Sequence, residues 1–154
     1  MNDTPAILLD KYKEHRAQAR QHETLRSTLV SFTAASAAAV LGFAGSQGTD
    51  PSFKLAACIF LTLMGGFSAF MALKHYERFR YHTALAKEYD KKLLRVADEI
   101  VNVDNYDQIK EKHRKRFGRV VDARAYVGWI VFPALIAVLG LVLGVLQARS
   151  IWNW

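Results

Sequence analysis

A chain of 154 residues with 51% hydrophobic and 23% charged side chains has room for one domain and, on totals alone, the make-up of a soluble protein. Distribution excludes that reading: the hydrophobic residues gather in three blocks nearly free of charge, and the charges fill the segments between them. The net charge of +7 points to acidic partners such as anionic lipid, and the single cysteine, Cys58, excludes an internal disulfide.

The first 27 residues carry five Lys or Arg and four Asp or Glu, a pattern unlike a cleavable signal peptide, so the first span is expected to be an uncleaved anchor. Thr4 followed by Pro5 starts a helix: a hydroxyl caps free amides, and proline presets the first turn. Leu8, Tyr12, His15, Ala19 and His22 then recur at steps of four and three, which predicts an amphipathic cytoplasmic helix over 5–24 with a narrow seam. It runs into a first span over 25–46. There Thr24, Thr28, Ser31, Ala35, Ala38, Gly42 and Gly45 share one heptad line of small residues. Such a face lets another helix approach closely in lipid, or lets its hydroxyls line a wet path.

Residues 45–52, GSQGTDPS, read as a turn, with Asp50 before Pro51 repeating the cap at Thr4. One long helix is predicted from Pro51 to Val101, on the order of 75 Å of helical rise. Its first part, 53–73, has only Lys54 as a charge and matches the roughly 20 residues that cross a bilayer. Cys58, Thr62, Gly66 and Ala69 form its line of small residues. Its second part, 74–101, is crowded with charge yet keeps a coiled-coil seam through Phe79, His82, Ala86, Tyr89, Leu93, Val96 and Ile100.

NVDN at 102–105 breaks the helix, and Asp104 or Asn105 can cap a third helix over 105–124. Its run over 110–119 carries Lys110, Lys112, Arg114, Lys115, Arg116 and Arg119 against one acid, Glu111. Beside a membrane surface such a run grips anionic lipid and sets topology; a nucleotide or an acidic cytoplasmic protein is the other partner class it fits, and nucleic acid is not expected. The third span, 125–148, has a small line at Ala137, Gly140, Gly144 and Ala148 and a proline, Pro133, expected to bend it. The ending IWNW marks an interface.

Fourteen Lys or Arg lie between spans two and three, against Lys54 alone in the turn and Arg149 alone in the tail. The positive-inside rule therefore puts the N-terminus and the long charged segment in the cytoplasm and the C-terminus outside. The fold class expected is an all-α membrane protein, a single domain of three long antiparallel helices, each part transmembrane and part cytoplasmic stalk. Reversal at the turn brings His22 to the region of Phe79 and His82, and Leu8 to Leu93.

Chemistry is sparse. His15 with His22, and His75 with His82, are each seven apart, so one metal cannot bridge either pair within a helix; seam hydrogen bonding or a pH response suits them better than a metal. Arg16 and His22 resemble the arginine-histidine pattern of HEPN ribonucleases, but Ala17 stands where a polar residue is usual and the two would not share a helix face. No phosphate loop or nucleophile elbow is present, and no ionisable side chain lies deep in a span as proton-coupled transport usually requires. Neither enzyme activity nor a cofactor is expected.

The layout of His15 to Leu94, a charged helix (HRAQARQHETLRSTL), two spans on a short turn, then a long charged helix (KHYERFRYHTALAKEYDKKLL), resembles the small SLATT-type membrane effectors of bacterial phage-defence systems, with a third span added. The resemblance implies a homo-oligomer of the inner membrane that damages it when a partner protein or second messenger triggers it. The function expected is accordingly a pore-forming or pore-gating oligomer, its pore or packing face drawn from Thr24, Thr28, Ser31, Ala35, Ala38, Gly42, Thr62, Gly66, Gly140 and Gly144. The stalk seam is His15, His22, Phe79, His82, Tyr89 and Leu93. The alternative is a non-conducting anchor that recruits a cytoplasmic partner through the stalk and the basic run.

Overall fold

A computed structural model describes residues 4–46, 48–98, 111, 115 and 125–152. Three helices make up nearly all of them: α1 (Thr4–Ala44), α2 (Pro51–Asp98) and α3 (Ala125–Trp152). Both α1 and α2 run without a break from charged sequence into apolar sequence, as expected of segments with no internal proline or glycine cluster strong enough to end a helix. The NVDN break, the cap at Asp104 or Asn105 and the helix expected over 105–124 lie outside the described residues, as does Ile100 of the seam. So do Lys110, Lys112, Arg114, Arg116 and Arg119. Lys115, which is described, is exposed and ion-pairs with Glu111 at 2.8 Å.

The link between α1 and α2 is built by short-range polar contacts. Gly48 takes φ 82°, open to glycine at little cost. Ser46 Oγ donates to the Phe43 carbonyl at 2.8 Å, and Thr49 Oγ1 donates to the Ser46 carbonyl at 3.0 Å. Asp50 caps α2, its Oδ1 accepting from the amides of Ser52 at 2.8 Å and Phe53 at 3.2 Å. Pro51 follows as the first helical residue, where the missing amide costs nothing.

The chain divides into two compact units, one of residues 1–22 and 77–125, the other of 23–76 and 126–154. The divisions at 22/23, 76/77 and 125/126 fall close to the span edges read from sequence at 24/25, 73/74 and 124/125.

The second unit holds the three apolar segments, each long and apolar enough to cross a membrane. They pack against one another with large side chains outward: Phe32, Phe60, Leu63, Phe67, Phe70, Leu135 and Leu141 are all exposed, and the interior is made of Val30, Thr33, Ala37, Ala57, Cys58, Leu61, Ser68 and Ala72. This inverts the arrangement of a water-soluble core. It is the one expected where the surroundings are as apolar as leucine and helices associate by close backbone approach. Residues of α1 and α2 meet as Phe43 with Phe53 (5.8 Å between rings), Thr33 with Ser68 (2.9 Å) and Arg26 with Tyr76 (5.9 Å).

The α2–α3 contact rests on two glycines. A Cβ added at Gly65 of α2 would lie 2.6 Å from the amide nitrogen of Ala137 and 2.7 Å from the carbonyl oxygen of Pro133; one added at Gly140 of α3 would lie 2.7 Å from the amide nitrogen of Thr62 and 2.8 Å from the carbonyl oxygen of Cys58. Backbone touches backbone at both points. Gly144 packs near the Cys58 side chain, while Gly66, which the sequence pattern assigned to the packed line, has nothing within 4 Å. The packed line on α2 is Cys58, Leu61, Gly65, Ser68 and Ala72, which shares Cys58 with the expected line and then runs one position before Thr62, Gly66 and Ala69; Thr62 is half-buried and donates to the Cys58 carbonyl at 2.9 Å.

In the first unit, Ala19 of α1 and Ala86 of α2 are buried, and the two helices meet through a stack of aromatic rings described below. Leu8, Phe79 and Leu93 are half-buried.

Candidate functional site

The inner face of α1 differs from the one its small residues predict. Buried positions are Ala19, Arg26, Val30, Thr33 and Ala37, whereas Thr24, Thr28, Ser31, Ala35, Ala38 and Gly42 are all exposed. The two lines are offset by two residues, and at 100° per residue that puts them on opposite sides of the helix. The physical reason lies in Thr33. Its Oγ1 donates to the Leu29 carbonyl at 2.8 Å and shares a hydrogen bond with Ser68 Oγ at 2.9 Å, so the interior polar pair fixes the rotation of α1.

The rotation leaves α1 with a second face that is small, partly polar and unused within the chain. The hydroxyls of Thr28 and Ser31 make no side-chain hydrogen bond among the described residues, unlike Thr33 and Thr62, which bond to carbonyls four residues earlier. Thr28 also lines a groove of about 330 Å³ whose other walls include Leu29, Phe32, Phe67 and Met71.

Arg26 is the residue that sequence reading passed over. Only 7% exposed, its guanidinium lies 5.9 Å from the ring centre of Tyr76 on α2 and 5.7 Å from that of Trp129 on α3. A cation held by two aromatic faces is stabilised by their quadrupoles while the rings keep water away. The arginine thus ties three helices together at one end of the apolar segments. A signal was available: a heptad line through Ala19, Arg26, Val30, Thr33 and Ala37 is as regular as the small line, and only its arginine made it look like a surface.

In the stalk unit the seam histidines come together. His15 and His82 stack with ring centres 5.5 Å apart, and their Nδ1 atoms are 3.2 Å apart, a hydrogen bond in which one ring donates and the other accepts. His22 stacks on His82 at 5.6 Å, and Tyr89 on His15 at 5.5 Å. The order is His22, His82, His15, Tyr89, alternating between α1 and α2. Tyr81 meets the edge of His82 at 5.2 Å. Burial, followed by His15 and Arg78, holds the His82 imidazole below the usual histidine value, with Glu14 acting weakly the other way. Glu14 is itself engaged by Lys11 at 2.9 Å. Among the described residues no three side chains of the metal-binding types come together to hold an ion.

Comparison of the chain with known protein families, with characterised proteins and with solved structures finds no match.

Proposed function

We propose that this chain is a multi-pass protein of the bacterial inner membrane that works as a homo-oligomer to form or gate a pore. The observation that carries the reading is the exposed line Thr24, Thr28, Ser31, Ala35, Ala38 and Gly42. Hydroxyls without a protein partner are poorly placed against hydrocarbon, and well placed against another helix or a file of water. A line of small residues opposite the face already used inside the chain gives a second copy a close approach. The apolar groove beside Thr28 can receive a bulky side chain from that copy.

The meeting order of α1 with α2, and the crossings of Gly65 with Pro133 and Gly140 with Thr62, support an up-down-up antiparallel arrangement. With the Lys and Arg bias, that arrangement has a cytoplasmic N-terminus and an outer C-terminus. The paired helices of the stalk then serve as sensor and assembly surface, and the likeness to SLATT-type effectors suits a role in defence against phage, with a cytoplasmic protein or nucleotide as trigger.

The test is purified protein in mild detergent and in dye-loaded liposomes. Oligomers larger than a dimer together with dye release are expected once the trigger is supplied. A protein that stays monomeric and leaves the liposomes intact, while a pull-down recovers one stoichiometric soluble protein, would replace the pore with a non-conducting anchor.

A further inference from the structure

The stalk holds four stacked rings, three of them imidazoles, that alternate between two helices. We infer that this stack is a proton-sensitive latch: it fastens α1 to α2 while the histidines are neutral and releases them when the site takes up more than one proton.

Hydrogen-bond chemistry comes first. The 3.2 Å contact joins Nδ1 of His15 to Nδ1 of His82, and it needs one nitrogen that bears a proton and one that does not. A neutral pair meets that condition, as does a pair carrying one extra proton. With both rings protonated, two N–H groups face each other and the bond is gone. His22, stacked on the other face of His82, then adds a third ring to the same column. Stacked cations at ring spacings of 5.5 Å and 5.6 Å in this part-buried site repel.

The surroundings do little to offset that charge. Charged and titratable groups against the stack include Lys11, Glu14 and His22 from α1, and Arg78, Tyr81, Tyr89 and Lys92 from α2. Glu14 is the carboxylate that favours a proton on His82, and Lys11 already engages it at 2.9 Å. Arg78 opposes a proton on His82, and Lys92 lies 5.7 Å from the Tyr89 ring centre at the end of the column.

The direction follows by linkage. His82 binds a proton less readily in the assembled stack than in separated helices, so separated helices hold more protons and assembly gains as pH rises. The contribution is complete above histidine's ordinary value of about 6.5 and is lost as pH falls through the depressed value of the assembled state. The ligand sensed is the proton on the side of the membrane where the stalk lies. The latch concerns the pairing of α1 with α2 and does not depend on the pore.

Full-length protein in lipid nanodiscs, labelled with nitrogen-15 histidine, tests it directly. A nitrogen–nitrogen coupling between the two Nδ1 atoms is expected at about pH 8 and should vanish by about pH 5. A pair of spin labels at positions 8 and 93, in a Cys58→Ala background, should give one narrow distance at the higher pH and a broad or longer one at the lower. His82→Phe keeps a stacking ring without a titrating one, and His15→Phe does the same from the other helix; both should flatten the response. An unchanged distance across the range, or a His82→Phe protein that responds as fully as the parent, would overturn the latch. Dye release from liposomes that hold the same variants, with the trigger supplied, separates the two proposals: a pH-dependent distance without leakage keeps the latch and removes the pore.

Discussion

Two neighbouring glycines, Gly65 and Gly66, show how finely position decides consequence. Alanine at Gly65 or at Gly140 would drive a methyl into backbone less than 3 Å away, and backbone in a packed helix has little room to yield. Each substitution is expected to cost about 1–3 kcal/mol, whereas Gly66→Ala, which meets open space, should change stability by no more than about 0.5 kcal/mol. Unfolding by a strong detergent titrated into mild micelles measures all three. Arg26 makes a comparable prediction. Arg26→Ala removes a buried guanidinium from two aromatic faces and should cost about 2 kcal/mol by the same measurement. Arg26→Lys should fall between Ala and the parent, because an ammonium keeps the charge and lacks the flat face that lies against Tyr76 and Trp129.

Helices were readable as elements, and their faces only in part. Long apolar runs, the Asp50–Pro51 cap and the glycine turn give α1, α2 and the link between them, since each depends on local chemistry alone. The rotation of α1 depends on Ser68, 35 residues away, and no pattern within α1 records that partner. Two lines of equal regularity competed, and the one holding Arg26 and Val30 lay inward. On α2 the pattern missed by one residue for a related reason: Gly65 and Gly66 are adjacent and identical, so only the backbone of α3 decides between them. The seam histidines were legible because charged neighbours leave them as the sole candidates for the inner face, though the 3.2 Å contact between two rings was not. The Thr33–Ser68 bond carries its own test. Thr33→Val and Ser68→Ala, combined in a double-mutant cycle, should show a coupling of about 0.6 kcal/mol, the usual size for such bonds between membrane helices.

For the whole molecule, the outward display of Phe32, Phe60, Phe67 and their neighbours matches an apolar surrounding. The exposed small line of α1 is the part of that surface where lipid is a poor companion. Ala38→Leu is therefore a discriminating variant. Ala38 is exposed, so unfolding of the single chain should shift by no more than about 0.5 kcal/mol. Crowding at a copy-to-copy contact should weaken assembly by about 1–3 kcal/mol, roughly fivefold to a hundredfold in affinity. Size measurement in mild detergent reads the second effect; a variant that assembles as well as the parent would leave this face without a partner.

The crossing of α2 and α3 at Gly65 and Gly140 has a mechanical corollary. At both points main chain lies on main chain with only short side chains beside it, so the seam has little slack. Motion within the apolar unit should carry those two rods as one stiff plate, with the travel taken up by α1, which meets its neighbours through side chains: a hydroxyl pair, a guanidinium between rings and the Phe43–Phe53 contact.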